Sequence, residues 1–171
     1  MCRKIHWHRA ALERAWLPAR SAGIGFGCAK HAPERFHSLI LGGAHPHAEA
    51  IQGLRDALSQ GLEAFGVWMQ QAYGHHMTPA KLKRLLANDL VALMALSRDR
   101  LDFSSVLPTM LMPCLLYVGE NDPRLPQMRE CMKHLANATF FSIPELGHVD
   151  AYARSDLVLP HVSAFLAKAG Q

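Results

Sequence analysis

Between Cys114 and Lys168 the chain alternates strand-like and helix-like segments, and no other feature constrains its fold as much. Cys114-Leu-Leu-Tyr-Val-Gly carries no charge, the pattern of a strand covered on both faces. Leu125–Leu135 reads as a helix, Ala138-Thr-Phe-Phe-Ser-Ile-Pro as a second strand and Leu157–Lys168 as a closing helix. Strand, helix, strand, helix implies parallel pairing through right-handed crossovers.

Upstream, Phe36-His-Ser-Leu-Ile-Leu-Gly-Gly reads as a buried strand ended by a glycine pair. Before it, Ala22–Ala32 has a helical tone despite Gly23, Gly25 and Gly27. Each glycine costs a helix about 1 kcal/mol, so close approach to a sheet is the expected reason for them. Residues 48–100 read as wholly helical. One stretch spans Ala48–Tyr73, bent or split at Gly53, Gly61 and Gly66, and another spans Lys81–Ser97 with Thr78 as N-cap and Pro79 at the first helical position. A short helix over 3–17 is ended by Pro18. The expectation is an α/β fold with a parallel sheet of three to four strands, flanking helices and a helical insertion at about 48–100.

The 171 residues suit one globular domain with a real core. Half are hydrophobic, which argues against disorder. No apolar run reaches the ~20 residues of a membrane span, and the start lacks the apolar stretch of a secretion signal. Four scattered cysteines form no CxxC, so reduced thiols and a cytoplasmic location are expected. The net charge of +4 sits in residues 1–23, a basic arm with five bases and one acid. Residues 24–171 are balanced, which argues against a nucleic-acid face spread over the body. The arm is also a candidate for docking on an anionic surface.

Two loop residues carry the chemistry. Asp122, in Gly119-Glu-Asn-Asp-Pro, and His148, in Glu145-Leu-Gly-His-Val-Asp, each follow a strand. Ligands and catalysis gather at the carboxyl ends of strands in such sheets. An Asp that orients an imidazole makes it a general base; the alternative is two solvated loop residues. Asp150 is a conceivable substitute acid, with surface solvation its default. His6/His8, His45/His47 and His75/His76 are pairs without a third or fourth ligand at zinc spacing, so no metal is expected. His45 and His47 follow the Gly42-Gly43 strand end and border the mouth of the site, as candidate substrate contacts or as an incidental pair. Cys28 reads as a packing residue.

Three segments resemble α/β-hydrolases. Pro33-Glu-Arg-Phe-His-Ser-Leu-Ile-Leu-Gly-Gly-Ala-His-Pro is similar to the sixth-strand segment of that family. Met112-Pro-Cys-Leu-Leu-Tyr-Val-Gly-Glu-Asn-Asp-Pro resembles its acid strand and loop, and Phe141-Ser-Ile-Pro-Glu-Leu-Gly-His-Val its histidine loop. The resemblance covers about residues 24–168 and implies Asp122 as triad acid, His148 as triad base and residues 48–100 as the helical cap. The family's nucleophile stands in G-x-S-x-G; here Gly23-Ile-Gly-Phe-Gly has Gly25 at its centre. Ala19-Arg-Ser-Ala-Gly makes Ser21 the candidate nucleophile and Ala22 the candidate oxyanion N–H donor, although Pro18 spoils the strand expected before them. The other reading of Ser21 is a cap on the Ala22–Ala32 helix.

Two functions follow. One is a Ser-His-Asp hydrolase of small carboxylic esters or lactones, which needs no cofactor. The other is a catalytically inactive, truncated homologue acting as an oligomeric binding module. Without early strands the sheet has an open apolar edge beside Phe36–Leu41, which predicts a homodimer or higher oligomer.

Overall fold

The computed structural model describes residues 20–73 and 77–169. The helix expected over 3–17, most of the basic arm and the pairs His6/His8 and His75/His76 lie outside the described residues. In chain order the elements are α1 (Arg20–His31), β1 (Leu39–Gly42), α2 (Gln52–Ser59), α3 (Leu62–Tyr73), α4 (Pro79–Leu86) and α5 (Leu90–Leu96). There follow β2 (Cys114–Gly119), α6 (Leu125–Met132), β3 (Ala138–Ile143), α7 (His148–Ala153) and α8 (Ser155–Ala169).

The three strands form a parallel sheet in the order β1-β2-β3, with Leu41 opposite Leu116 and Leu116 opposite Phe140. The charge-free β2 is central, and Leu115, Leu116 and Val118 are essentially inaccessible. On one face Leu39, Leu41, Cys114, Leu116 and Val118 pack with Phe26 and Ala29 of α1 and with Met128 and Cys131 of α6. On the other, Ile143 packs with Ala151 and Val158, and Tyr117 and Phe141 stack at 5.5 Å. Each fully buried large aliphatic side chain contributes about 1.5–3 kcal/mol.

Of the α1 glycines, only Gly25 is explained by close approach: a Cβ there would lie 2.6 Å from Leu41 Cδ2. Gly23 and Gly27 face open space. β1 begins three residues later than expected, because Pro33–Arg35 forms a 3-10 turn in which the Phe36 N–H donates to Pro33 O. On its outer side β1 pairs with no strand among the described residues, and Ile40 is exposed there.

Both long helices expected between β1 and β2 are divided. Gly61, at φ +105°, separates α2 from α3, a conformation that L side chains rarely adopt. Gly53 and Gly66 lie inside helices. Asp89 divides the second stretch: its carboxylate accepts from the N–H groups of Val91 and Ala92 and so starts α5 anew. Thr78 caps α4 as expected, accepting from the Lys81 N–H at 3.3 Å, with Pro79 following it. Leu58, Phe65, Met69 and Leu85 form the insertion's own small core, closed by Val149.

The neck of the insertion is tied. Glu49 and Arg100 form an antiparallel bridge. Asp99 Oδ1 accepts from the Ile51 N–H and from Arg55 Nη1 at 3.0 and 2.8 Å, and Asp102 Oδ2 accepts from the Ala48 N–H at 3.1 Å. No helix among the described residues is long and apolar enough to cross a membrane.

Candidate active site

The loops after β2 and β3 are laced to each other by main-chain groups. The Glu120 N–H donates to Ile143 O and the Asn121 N–H to Leu146 O, at 2.9 and 3.0 Å. Asn121 Nδ2 donates to Glu145 O at 2.9 Å. Glu145 takes a positive φ of 61° at the turn, and Gly119 leaves room for Leu146 O, on which a Cβ would collide. This lacing sets the separation of the two residues that the loops carry.

Asp122 and His148 meet there, with Nδ1 and Oδ2 2.6 Å apart, and both are buried. The other carboxylate oxygen, Oδ1, accepts from the Arg124 N–H at 2.9 Å. His148 is the first residue of α7, a helix absent from the sequence-based expectation, which placed it in a loop. Gly43, at φ +59°, stands directly against the pair. A Cβ there would lie 3.0 Å from His148 Cε1 and 3.5 Å from Asp122 Oδ2.

Sequence reasoning missed Arg124 and Glu49. Arg124 Nη1 lies 2.9 Å from His148 Nε2, and Arg124 Nη2 donates to Glu49 Oε1 at 2.8 Å. Nη1 also lies 3.4 Å from Nδ1, so the guanidinium sits over the ring rather than in line with the Nε2 lone pair. A carboxylate only accepts, so Nδ1 carries the proton that faces Asp122. Glu49 Oε2 also lies 3.0 Å from Arg100 Nη1, without hydrogen-bond alignment. Burial pushes the Glu49 carboxyl up, but Arg124, by charge and hydrogen bond, and then Arg100 outweigh it and hold it below the usual carboxylate range. An arginine two residues beyond an acid looks solvated in sequence, and its partner is 75 residues away.

His45 and His47 follow β1, their ring centroids 5.5 Å apart. Burial lowers the His45 pKa from 6.5 to about 4, so its ring is neutral at pH 7. His45 Nδ1 is buried without a hydrogen-bond partner among the described residues. Ser21 and Ala22 are the second and third residues of α1, so Ser21 lies within the helix rather than before it. The side chains of both lie outside the described residues. Asp150 pairs with Lys81 at 3.0 Å. Burial pushes the Cys114 and Cys131 thiols up to about 11, which leaves little thiolate at neutral pH. No cluster of three metal-binding side chains occurs among the described residues.

No family model matches the sequence, and no curated protein does. Solved structures match well in shape. The enol-lactonase from Burkholderia xenovorans LB400 superposes with a TM-score of 0.70 at 17% identity, covering 88% of this chain and 64% of its own. A thermophilic esterase from Thermogutta terrifontis gives 0.73 at 18% identity, covering 90% of this chain and 64% of its own. MenH from S. aureus gives 0.74 at 17% identity, covering 90% and 67%. The fold is that of an α/β-hydrolase. The chain spans only about two-thirds of the length of these α/β-hydrolase structures. Within that fold the Asp122–His148 pair stands at the carboxyl ends of adjacent parallel strands, and α2–α5 form the insertion between β1 and β2.

Proposed function

We propose that this chain is a hydrolase of carboxylic esters or lactones in which His148 is the general base and Asp122 its orienting acid. The observation that carries the reading is the 2.6 Å contact between His148 Nδ1 and Asp122 Oδ2 on two interlaced loops. In this reading Ser21 Oγ attacks the ester carbonyl carbon and its proton passes to His148 Nε2. The proton then goes to the leaving alkoxide, and water releases the acid from the acyl-enzyme in a second pass through the same base. The Ala22 N–H, in the first turn of α1, supplies one oxyanion donor.

A second reading is a binding module without catalysis. The Arg124 guanidinium lying against the His148 ring favours it. The outer side of β1, unpaired among the described residues, supports self-association, and the free thiols of Cys28, Cys114 and Cys131 support a reducing, cytoplasmic setting. Light scattering coupled to size exclusion checks the first of these, and a monomer at all concentrations would refute it.

The deciding assay is hydrolysis of p-nitrophenyl acetate and butyrate by wild type, Ser21→Ala and His148→Ala. The hydrolase reading expects turnover to fall about 10³-fold or more in both variants. Turnover unchanged in Ser21→Ala removes that residue from the mechanism. No wild-type turnover leaves the binding module.

A further inference from the structure

A cavity of about 420 Å³ opens between α1, the loop after β1 and the end of α5. That size lies within the range of small-molecule pockets. Its walls are apolar where Phe26, Pro46, Leu96, Leu101 and Phe103 line it, and cationic where Arg98 and Arg100 do. The acids nearby are already engaged. Glu49 is held by Arg124 and Arg100, Asp99 by Arg55 and the Ile51 N–H, and Asp102 by Ser104 and the Ala48 N–H. Arg98 is different. It is exposed, and no ion pair or side-chain hydrogen bond forms at its guanidinium among the described residues. The Lys30 ammonium lies 5.1 Å over the Phe103 ring and adds positive charge nearby.

Such a lining suits one ligand chemistry. An apolar body fills the aromatic and aliphatic walls, and an anionic group meets the unengaged guanidinium, which favours planar carboxylates. His45, also on the wall, is neutral at pH 7 and lines the cavity without adding charge. It also brings the cavity wall beside the acid–base pair, because it follows by two residues Gly43, which stands against the His148 ring.

We propose that this cavity binds a small organic carboxylate with an apolar body, Arg98 pairing with the carboxylate. It then receives the acid-bearing end of a carboxylate-containing ester or lactone. The second statement rests on the hydrolase reading; the first does not.

The test is isothermal titration calorimetry with 4-phenylbutyrate, the neutral 4-phenylbutan-1-ol and the cationic 4-phenylbutylamine, all at low ionic strength. The expectation is saturable binding of the carboxylate, about tenfold weaker binding of the alcohol and none of the amine. Arg98→Leu, a change on an exposed side chain, weakens the carboxylate about tenfold and leaves the alcohol unchanged. Gly23 lines the same cavity with open space where a Cβ would project. Gly23→Leu therefore fills the cavity, favours the helix and abolishes binding of both ligands. Equal affinity for carboxylate and alcohol, an unchanged Kd in Arg98→Leu, or no binding of any probe would overturn the cavity assignment, whatever the esterase result. Carboxylate binding with no hydrolysis of any ester would overturn the substrate assignment and keep the binding site.

Discussion

The sheet end and the helical insertion hold their residues in different ways. In the sheet, the central strand β2 is covered on both faces, and the loops carrying Asp122 and His148 are joined by main-chain hydrogen bonds. In the insertion, α5 buries none of its residues, and Val91, Met94 and Leu96 are exposed. Asp122 and His148, the acid and base of the proposed reaction, stand on the part that main-chain hydrogen bonds tie together. The cavity wall that Leu96 and Arg98 supply stands at the end of the weakly packed part, where shape adapts more readily.

The sharpest way to break this contrast is to open a hole in each region. Leu116→Ala, in the central strand, is expected to cost about 4 kcal/mol in urea unfolding, and Leu85→Ala, in the insertion's smaller core, about 3 kcal/mol or less. Hydrogen exchange refines the comparison, since α5 amides should exchange far faster than those of β2. Equal costs and equal protection would erase the distinction.

His45 joins the two regions, and its burial has a pH signature. The folded protein holds it near pKa 4, whereas the unfolded chain takes up a proton near 6.5. Above pH 6.5 both states are neutral and nothing is lost. As pH falls from 6.5 towards 4 the unfolded state binds a proton that the folded state refuses, so stability falls. The loss is about 2 kcal/mol between pH 7.5 and pH 5. Urea unfolding of wild type and His45→Gln at both pH values checks this, and the variant should lose about 2 kcal/mol less over that interval. Identical pH slopes would place His45 in solvent.

Smaller effects probe single contacts. Gly43→Ala forces an L residue to φ +59° and pushes a methyl against His148, at a cost of about 2 kcal/mol. An unperturbed stability and unshifted His148 resonances would contradict that crowding. Thr78→Ala removes one N-cap from α4 and should cost about 1 kcal/mol, confined to the insertion.

Much of the sheet half was legible, and the reason is local. A charge-free run such as Cys114–Gly119 has few places to go but a covered strand, and an acid and a histidine just past strand ends are brought together by parallel pairing. The insertion was less legible. Apolar spacing continues across Asp89, so two helices read as one, although an Asp preceding an apolar run is itself a capping signal. Gly61 was among three glycines that looked equivalent, and only its positive φ distinguishes it as the break. Arg124 and Glu49 carry no sequence signal, because their pairing depends on where the insertion's neck crosses the β2 loop.

The central claim is that Asp122 holds His148 with its proton on Nδ1 and Nε2 left as acceptor. A long-range ¹H–¹⁵N spectrum of the imidazoles at pH 8, assigned with His148→Gln and repeated in Asp122→Asn, tests it directly. The account predicts a protonated Nδ1 and an unprotonated Nε2 for His148 in wild type, with that preference lost in Asp122→Asn. A proton on Nε2 in wild type, or a spectrum unchanged by Asp122→Asn, would contradict it.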